Sequence, residues 1–161
     1  MYYINYFFFY SIFGHIMESI VYLFFKGESG ILFCPWTPVY GFGAVIVIFF
    51  SKMIDKKIDN KIYRNIFYFI VNFLILNILE YIAGNLIEKI FGIIFWTYKD
   101  FKFNLGNYIS LEIGIIWGLL SLVIVHLVPL TDKIIKKIPR FISWLFIVLM
   151  IIDSLLTIFF R

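Results

Sequence analysis

Residues 62–91 read IYRNIFYFIVNFLILNILEYIAGNLIEKIF, a run dominated by apolar side chains and uninterrupted by proline. A helix needs about 20 mostly apolar residues to cross the hydrocarbon of a bilayer. This run is long enough to span with tilt or to project beyond the membrane. Its composition is that of the whole chain. Of 161 residues, 63% are hydrophobic and only 15% are charged, with 21 Phe and 11 Tyr. A soluble domain is typically about 45–50% apolar and about 25% charged. One soluble core of this size could not hide so much apolar surface, whereas lipid solvates the outside of a membrane bundle.

Four further apolar runs lie on either side, at residues 3–25, 39–53, 109–128 and 141–160. The polar, glycine-rich turn Lys26-Gly27-Glu28-Ser29-Gly30 ends the first. Pro129 is expected to stop the fourth helix, and Pro139 precedes the fifth. The fold class is therefore all-α, a polytopic membrane helical bundle of about five transmembrane helices. Residues 1–161 read as a single integral membrane domain, with no repeat or soluble module. The first run has no Lys or Arg before it and is long enough to span, so it is expected to belong to the bundle rather than to a cleaved signal.

Cys34 is the single cysteine. That excludes a disulfide framework within the chain and a thiolate cluster for zinc. It reads as a small buried hydrophobe. No cofactor or metal site is expected. The formal net charge is +4, but the basic residues sit in short loops, a pattern of topology rather than of nucleic-acid binding. Nine of the 14 basic residues fall on one side of a five-span chain. They are Lys52, Lys56, Lys57, Lys61, Arg64, Lys133, Lys136, Lys137 and Arg140. Lys26, Lys89, Lys99, Lys102 and Arg161 fall on the other. By the positive-inside rule the N-terminus is expected in the cytoplasm and the C-terminus outside. The richness in Ile, Lys, Phe and Asn suggests an AT-rich bacterial genome, hence a multi-pass protein of a bacterial cytoplasmic membrane.

Charged groups within a span are costly, by at least about 2.5 kcal/mol at the centre. Helix one carries His15 and Glu18. Helix three carries Asn72, Asn77, Glu80, Asn85 and Glu88. Glu112 lies near the start of helix four, and Asp153 is in helix five. Ser11, Gly14, Glu18 and Tyr22 share one helical face, as do Asn77, Glu80, Gly84 and Glu88. Ser110, Gly114, Gly118 and Ser121 form a small-residue stripe that allows close helix approach. In the expected orientation Glu18, Glu80 and Glu112 fall at similar outward depth, and they are expected to line one polar pocket in the outer half of the bundle. Asn72, Asn85 and Asp153 read as interhelical glue. His15 reads as a hydrogen-bond partner of Glu18 rather than a metal ligand. For Glu18 and Glu80 a functional and a packing role both remain open, and Glu88 can be simply interfacial.

Two external segments complete the picture. Pro35 and Pro38 bracket Trp36 and Thr37, so that stretch is expected to be extended or only partly helical. Such backbone survives at membrane depth only where protein or a water-filled cavity covers it. Gly41 and Gly43 permit close packing or a bend, and the equally weighted alternative is a tight external turn with Trp36 and Tyr40 as interface anchors. The second segment holds Trp96, Tyr98, Asp100, Phe103 and Asn104, whose aromatics fit an interfacial belt.

These blocks resemble, in order, those of the ABC-transporter type IV (CmpB-like) membrane family, which is related to TMEM229-type proteins. Gly14-His15-Ile16-Met17-Glu18 is similar to the family's G-x-x-x-E. Pro35-Trp36-Thr37-Pro38-Val39-Tyr40-Gly41-Phe42-Gly43 is similar to its P-W-x-P-x-Y-G-F-G, the most specific block. Leu79-Glu80-Tyr81 and Leu86-Ile87-Glu88-Lys89 resemble L-E-Y and L-E-K elements. Trp96-x-Tyr98 and Phe103-Asn104-Leu105 resemble W-D-Y and F-N-L. Thr97 departs from the usual acid, and Tyr108 stands where an Arg is frequent. The resemblance runs from about Ser11 to Gly118 and leaves out the last helix.

The resemblance implies the permease part of an ABC transporter. The chain has no G-x-x-x-x-G-K-[ST] phosphate loop, so it cannot power transport and would need a separate ATPase subunit. Its loops around residues 51–61 and 131–139 are short docking platforms. Five helices are few for a translocation path, so a homo-oligomer in the lipid bilayer is expected. A structural or regulatory membrane protein is the second reading. A membrane-embedded enzyme is the third, with Glu18, His15, Glu80 and Glu112 as acid–base groups acting on a lipid head group or peptide.

Overall fold

The computed structural model describes residues 1–24 and 30–160. Phe25, the turn Lys26-Gly27-Glu28-Ser29 and Arg161 lie outside the described residues. Five helices follow one another: α1 (Tyr2–Phe24), α2 (Pro38–Asp55), α3 (Lys61–Phe91), α4 (Leu111–Ile135) and α5 (Arg140–Phe160). All five are long and apolar enough to cross a membrane. Their large outward side chains remain uncovered; Leu23 and Phe24 are each 81% exposed. Lipid is the solvent that such a surface requires.

Local chemistry sets the helix ends. Pro38 opens α2 at the first helical position, where its missing N–H costs nothing and its fixed φ suits the helix. Asn60 caps α3, its side chain accepting from the N–H groups of Ile62 (2.9 Å) and Tyr63 (3.3 Å). Gly92 closes α3 with φ 69°, and its N–H donates to the Glu88 carbonyl. A left-handed residue at that position is the ordinary glycine terminator. Between α3 and α4 a short hairpin pairs β1 (Asn104–Leu105) with β2 (Ile109–Ser110), Asn104 opposite Ser110. The two residues expected to begin the fourth span therefore form β2 instead.

The largest departure from expectation is at Pro129. It lies inside α4, and the helix continues through it to Ile135. Proline removes one backbone hydrogen bond, but in a membrane helix neighbouring helices, Ser/Thr side chains and local adjustment can absorb the loss. Thr131 and Asp132 beyond it are tied to the first turns of α1.

The chain divides into two compact units, the first comprising residues 1–45 and 129–161 and the second residues 46–128. In the first unit Phe8, Trp36 and Phe146 form an aromatic cluster with ring centroids 5.3–6.3 Å apart. Gly14 packs beneath the Tyr40 ring, and Gly41 packs against Ser11 and the Phe7 carbonyl, so α1 and α2 approach more closely than side chains would permit. In the second unit Gly114 and Gly118 of α4 admit Asn77, Phe73 and Phe69 of α3 in the same way.

Candidate functional site

In the first unit the proline-broken segment is held from α5. Both carboxylate oxygens of Asp153 are used. Oδ1 accepts from the Phe33 N–H (3.1 Å), and Oδ2 accepts from the Cys34 N–H (3.1 Å) and the Trp36 indole (2.8 Å). Trp36 is buried, as is Asp153, whereas Pro35 is exposed. Asp153 is thus not the helix-to-helix glue expected of it. It clasps an irregular segment whose N–H groups have no helix to bond within, which is how such backbone survives beside lipid. The Asp153 carboxylate and partial burial push the Cys34 thiol above its ordinary range, burial being the larger cause.

Next to this clasp, Thr37 joins the two polar residues of α1. Its N–H donates to the Ser11 carbonyl (3.0 Å). Its hydroxyl lies 3.3 Å from His15 Nδ1 and donates to Glu18 Oε2 at 3.4 Å. His15 and Glu18 are thereby brought together through Thr37. Gly30, with φ 70°, sits against this group; a Cβ there would come within 3.0 Å of the Thr37 hydroxyl and 3.2 Å of His15 Nδ1. Gly41 of the same motif serves the close α1–α2 approach, the Tyr40 ring lies over Gly14 of α1, and Gly43 is buried in α2.

In the second unit two tyrosines fold the 93–110 segment back along α3. The Tyr98 hydroxyl donates to Glu80 Oε1 (2.6 Å), and Tyr108 donates to Glu88 Oε2 (2.8 Å). Glu80 is buried, and the Trp117 indole of α4 faces it. Gly84, midway between the two acids, leaves room for the Tyr108 ring, which Trp96 meets edge-on at 5.7 Å. Tyr108 therefore places a neutral donor on Glu88 where the resemblance would place an Arg. Glu112 has a separate set of partners, the Phe103 N–H (3.1 Å) and the Ser110 hydroxyl (2.7 Å). Asn104 is exposed and ties the hairpin to the Lys99 carbonyl.

Two asparagines depart from the expected glue role. Asn85 is exposed and bonds back to the Tyr81 carbonyl of its own helix. Asn72 is fully buried, and neither polar atom of its side chain has a hydrogen-bond partner among the described residues. Sequence reasoning missed Asp132 altogether. Its Oδ1 accepts from Tyr2 (2.6 Å) and Tyr6 (2.7 Å), and Lys136 lies 2.8 Å from Oδ2. The i, i+4 spacing of Tyr2, Tyr6 and Tyr10 was the available signal.

Among known protein families, one profile matches residues 5–158, from the first turn of α1 almost to the end of α5. The chain belongs to the family described as "Putative ABC-transporter type IV". Membership in the type IV family reaches through the fifth helix, beyond the Gly118 limit of the motif resemblance, and takes in Asp153 as well as the segment it clasps. No curated protein and no solved structure matches the chain.

Proposed function

We propose that this chain is the permease subunit of an ABC-type transporter and works with a separate ATPase. The observation that carries the reading is the type IV family match over residues 5–158, which takes in all five spanning-length helices. The absence of a phosphate loop from the sequence supports a partner that hydrolyses the nucleotide. Within this reading His15 and Glu18 in the first unit, and Glu80 and Glu112 in the second, are the groups that a cargo meets. Ionisable side chains in membrane helices commonly mark such paths. In the expected topology the Trp36 segment and the Tyr98–Tyr108 segment each follow an outward-running helix.

Purification from native membranes in a gentle detergent tests the partnership. An ATPase subunit recovered in a fixed ratio with the chain, in a complex holding two or more copies, is the expected result. Repeated recovery of the chain with no ATPase would overturn the reading.

The split of basic residues supports a cytoplasmic N-terminus and an outward C-terminus in a bacterial cytoplasmic membrane. Alkaline phosphatase fused after Arg161 is expected to be active and a fused cytoplasmic reporter silent. The opposite pattern would reverse the topology and move the docking loops to the wrong face for an ATPase.

A further inference from the structure

A half-open apolar crevice lies in the first unit between α1 and α5. It holds about 120 Å³ and is lined by Asn5, Phe8, Phe9 and Ile12 of α1, Ile138 of the α4–α5 turn and Phe146 of α5. Phe8 and Phe146 stack at its wall, their ring centroids 5.3 Å apart. Asn5 is the single polar residue of the lining, and both ends of its amide are used. Nδ2 donates to the Ile135 carbonyl (3.4 Å), and Oδ1 accepts from the Ser143 hydroxyl (2.5 Å). Such a space suits hydrocarbon rather than water; an apolar cavity of about 150 Å³ stays dry and takes up benzene. From Asn5 to Ile12 a helix rises roughly 10 Å at 1.5 Å per residue. The crevice therefore runs from the level of the α4–α5 turn about a third of the way into a hydrocarbon core of about 30 Å.

The turn at Ile138 is also basic. Lys133, Lys136, Lys137 and Arg140 are all exposed, and the chain has no acid between Asp132 and Asp153. Asp132 is taken by Lys136 at 2.8 Å. Lys133, Lys137 and Arg140 have no carboxylate partner among the described residues. Lys137 immediately precedes Ile138, and Arg140 follows it by two positions and begins α5. Pro139 has no side-chain acceptor for the first N–H groups of α5, so the positive end of that helix adds to the same field. Phe141 and Trp144 are exposed on the first turns of α5, and aromatic rings of this kind sit where headgroups meet acyl chains.

We infer that this face binds one anionic glycerophospholipid, with an acyl chain in the crevice and its phosphate against Lys137 and Arg140. An apolar crevice by itself would take any lipid, and a basic turn by itself would follow from topology. Their meeting at Ile138 joins a chain site to a headgroup site in one molecule. Basic pockets beside membrane helices bind anionic headgroups, each Lys or Arg contributing about fivefold in affinity. A zwitterionic headgroup brings its own cation to a turn already short of anions, whereas phosphatidylglycerol does not. A second copy of the chain on this face would set one basic turn against another across a two-fold axis. The inference does not depend on an ATPase partner.

The test uses the full chain in detergent micelles and native mass spectrometry, with dioleoyl phosphatidylglycerol and dioleoyl phosphatidylcholine supplied in equal amounts. One retained lipid per chain is expected, favouring phosphatidylglycerol at least about tenfold if two basic residues each contribute about fivefold. Lys137→Gln combined with Arg140→Gln should erase the preference, and Lys137→Arg combined with Arg140→Lys should keep it. Lys99→Gln with Lys102→Gln, which removes two exposed charges of the second unit, should match the parent. Ile12→Trp fills the crevice without altering charge and should lower retention of both lipids. The charge variants decide the outcome even if Ile12→Trp misfolds. Equal retention of the two lipids by the parent, or an undiminished preference in the double Gln variant, would overturn the proposal. Displacement of the lipid by glycerol phosphate, a headgroup without chains, would overturn the use of the crevice. A parent dimer that Ile12→Trp converts to monomer, with lipid retention unchanged, would show that a second copy covers this face instead.

Discussion

Replacing Asp153 with alanine is expected to cost on the order of 3 kcal/mol and to release the Pro35–Pro38 segment from α5. Hydrogen bonds to charged groups contribute roughly 1.5–3 kcal/mol each, and a buried donor left without its acceptor keeps its desolvation cost. Here one carboxylate serves two backbone N–H groups and the buried Trp36 indole. Asn should rescue little, because its single oxygen cannot take the place of both carboxylate oxygens and its NH2 would face donors. Thermal unfolding in detergent should show a fall of roughly 6–12 °C at 2–4 °C per kcal/mol. Cys34 gives a second readout. Its raised thiol pKa keeps thiolate scarce at neutral pH, so maleimide labelling of the parent is slow and rises as pH increases. Loss of the neighbouring negative charge and of the clasp should both speed labelling at pH 7. Unchanged melting and labelling in Asp153→Ala would show that the clasp contributes nothing.

The second large effect is expected from a single methyl group at Gly41. A Cβ there would overlap the Ser11 hydroxyl and the Phe7 carbonyl of α1. The first neighbour can rotate; the second is helix backbone and cannot move alone. Overpacking of this kind typically costs about 1–3 kcal/mol, and Gly41→Ala should sit at the upper end because two helices must part. Adding Ser11→Ala in the same chain should recover only part of the loss, since the carbonyl contact remains. Full recovery would mean that the hydroxyl alone sets the approach, and no loss at all would mean that α1 and α2 are not held at this distance.

What the sequence made legible follows from how local each signal is. The five spans were readable because length and apolarity act over contiguous residues. Pro129 misled for the converse reason. Its intrinsic preference argues for a stop, while the membrane and the ties at Thr131 and Asp132 favour continuation. His15 and Glu18 were paired by their spacing of three, yet the group that joins them is Thr37, from the next segment. Asp153 was read as interhelical glue, and Asp132 was not singled out. Apart from Lys136, one turn on from Asp132, their partners lie far away along the chain, and the tyrosines on Asp132 look in sequence like any aromatic belt. Tyr98 was assigned to the interface and Tyr108 only to a position where an Arg is frequent, and nothing in their neighbours' identity announced that they reach back to Glu80 and Glu88.

The clasp at Asp153 also has a bearing on how the protein is made. Asp153 follows Phe33 by 120 positions, which at about 5–20 residues per second means a wait of roughly 6–24 s during synthesis. Throughout that interval the Trp36 segment has its aromatic ring but not its acceptor. Its order is therefore settled after translation of α5, and a ribosome that stalls before residue 153 leaves an unfinished Trp36 segment for quality-control proteases to meet.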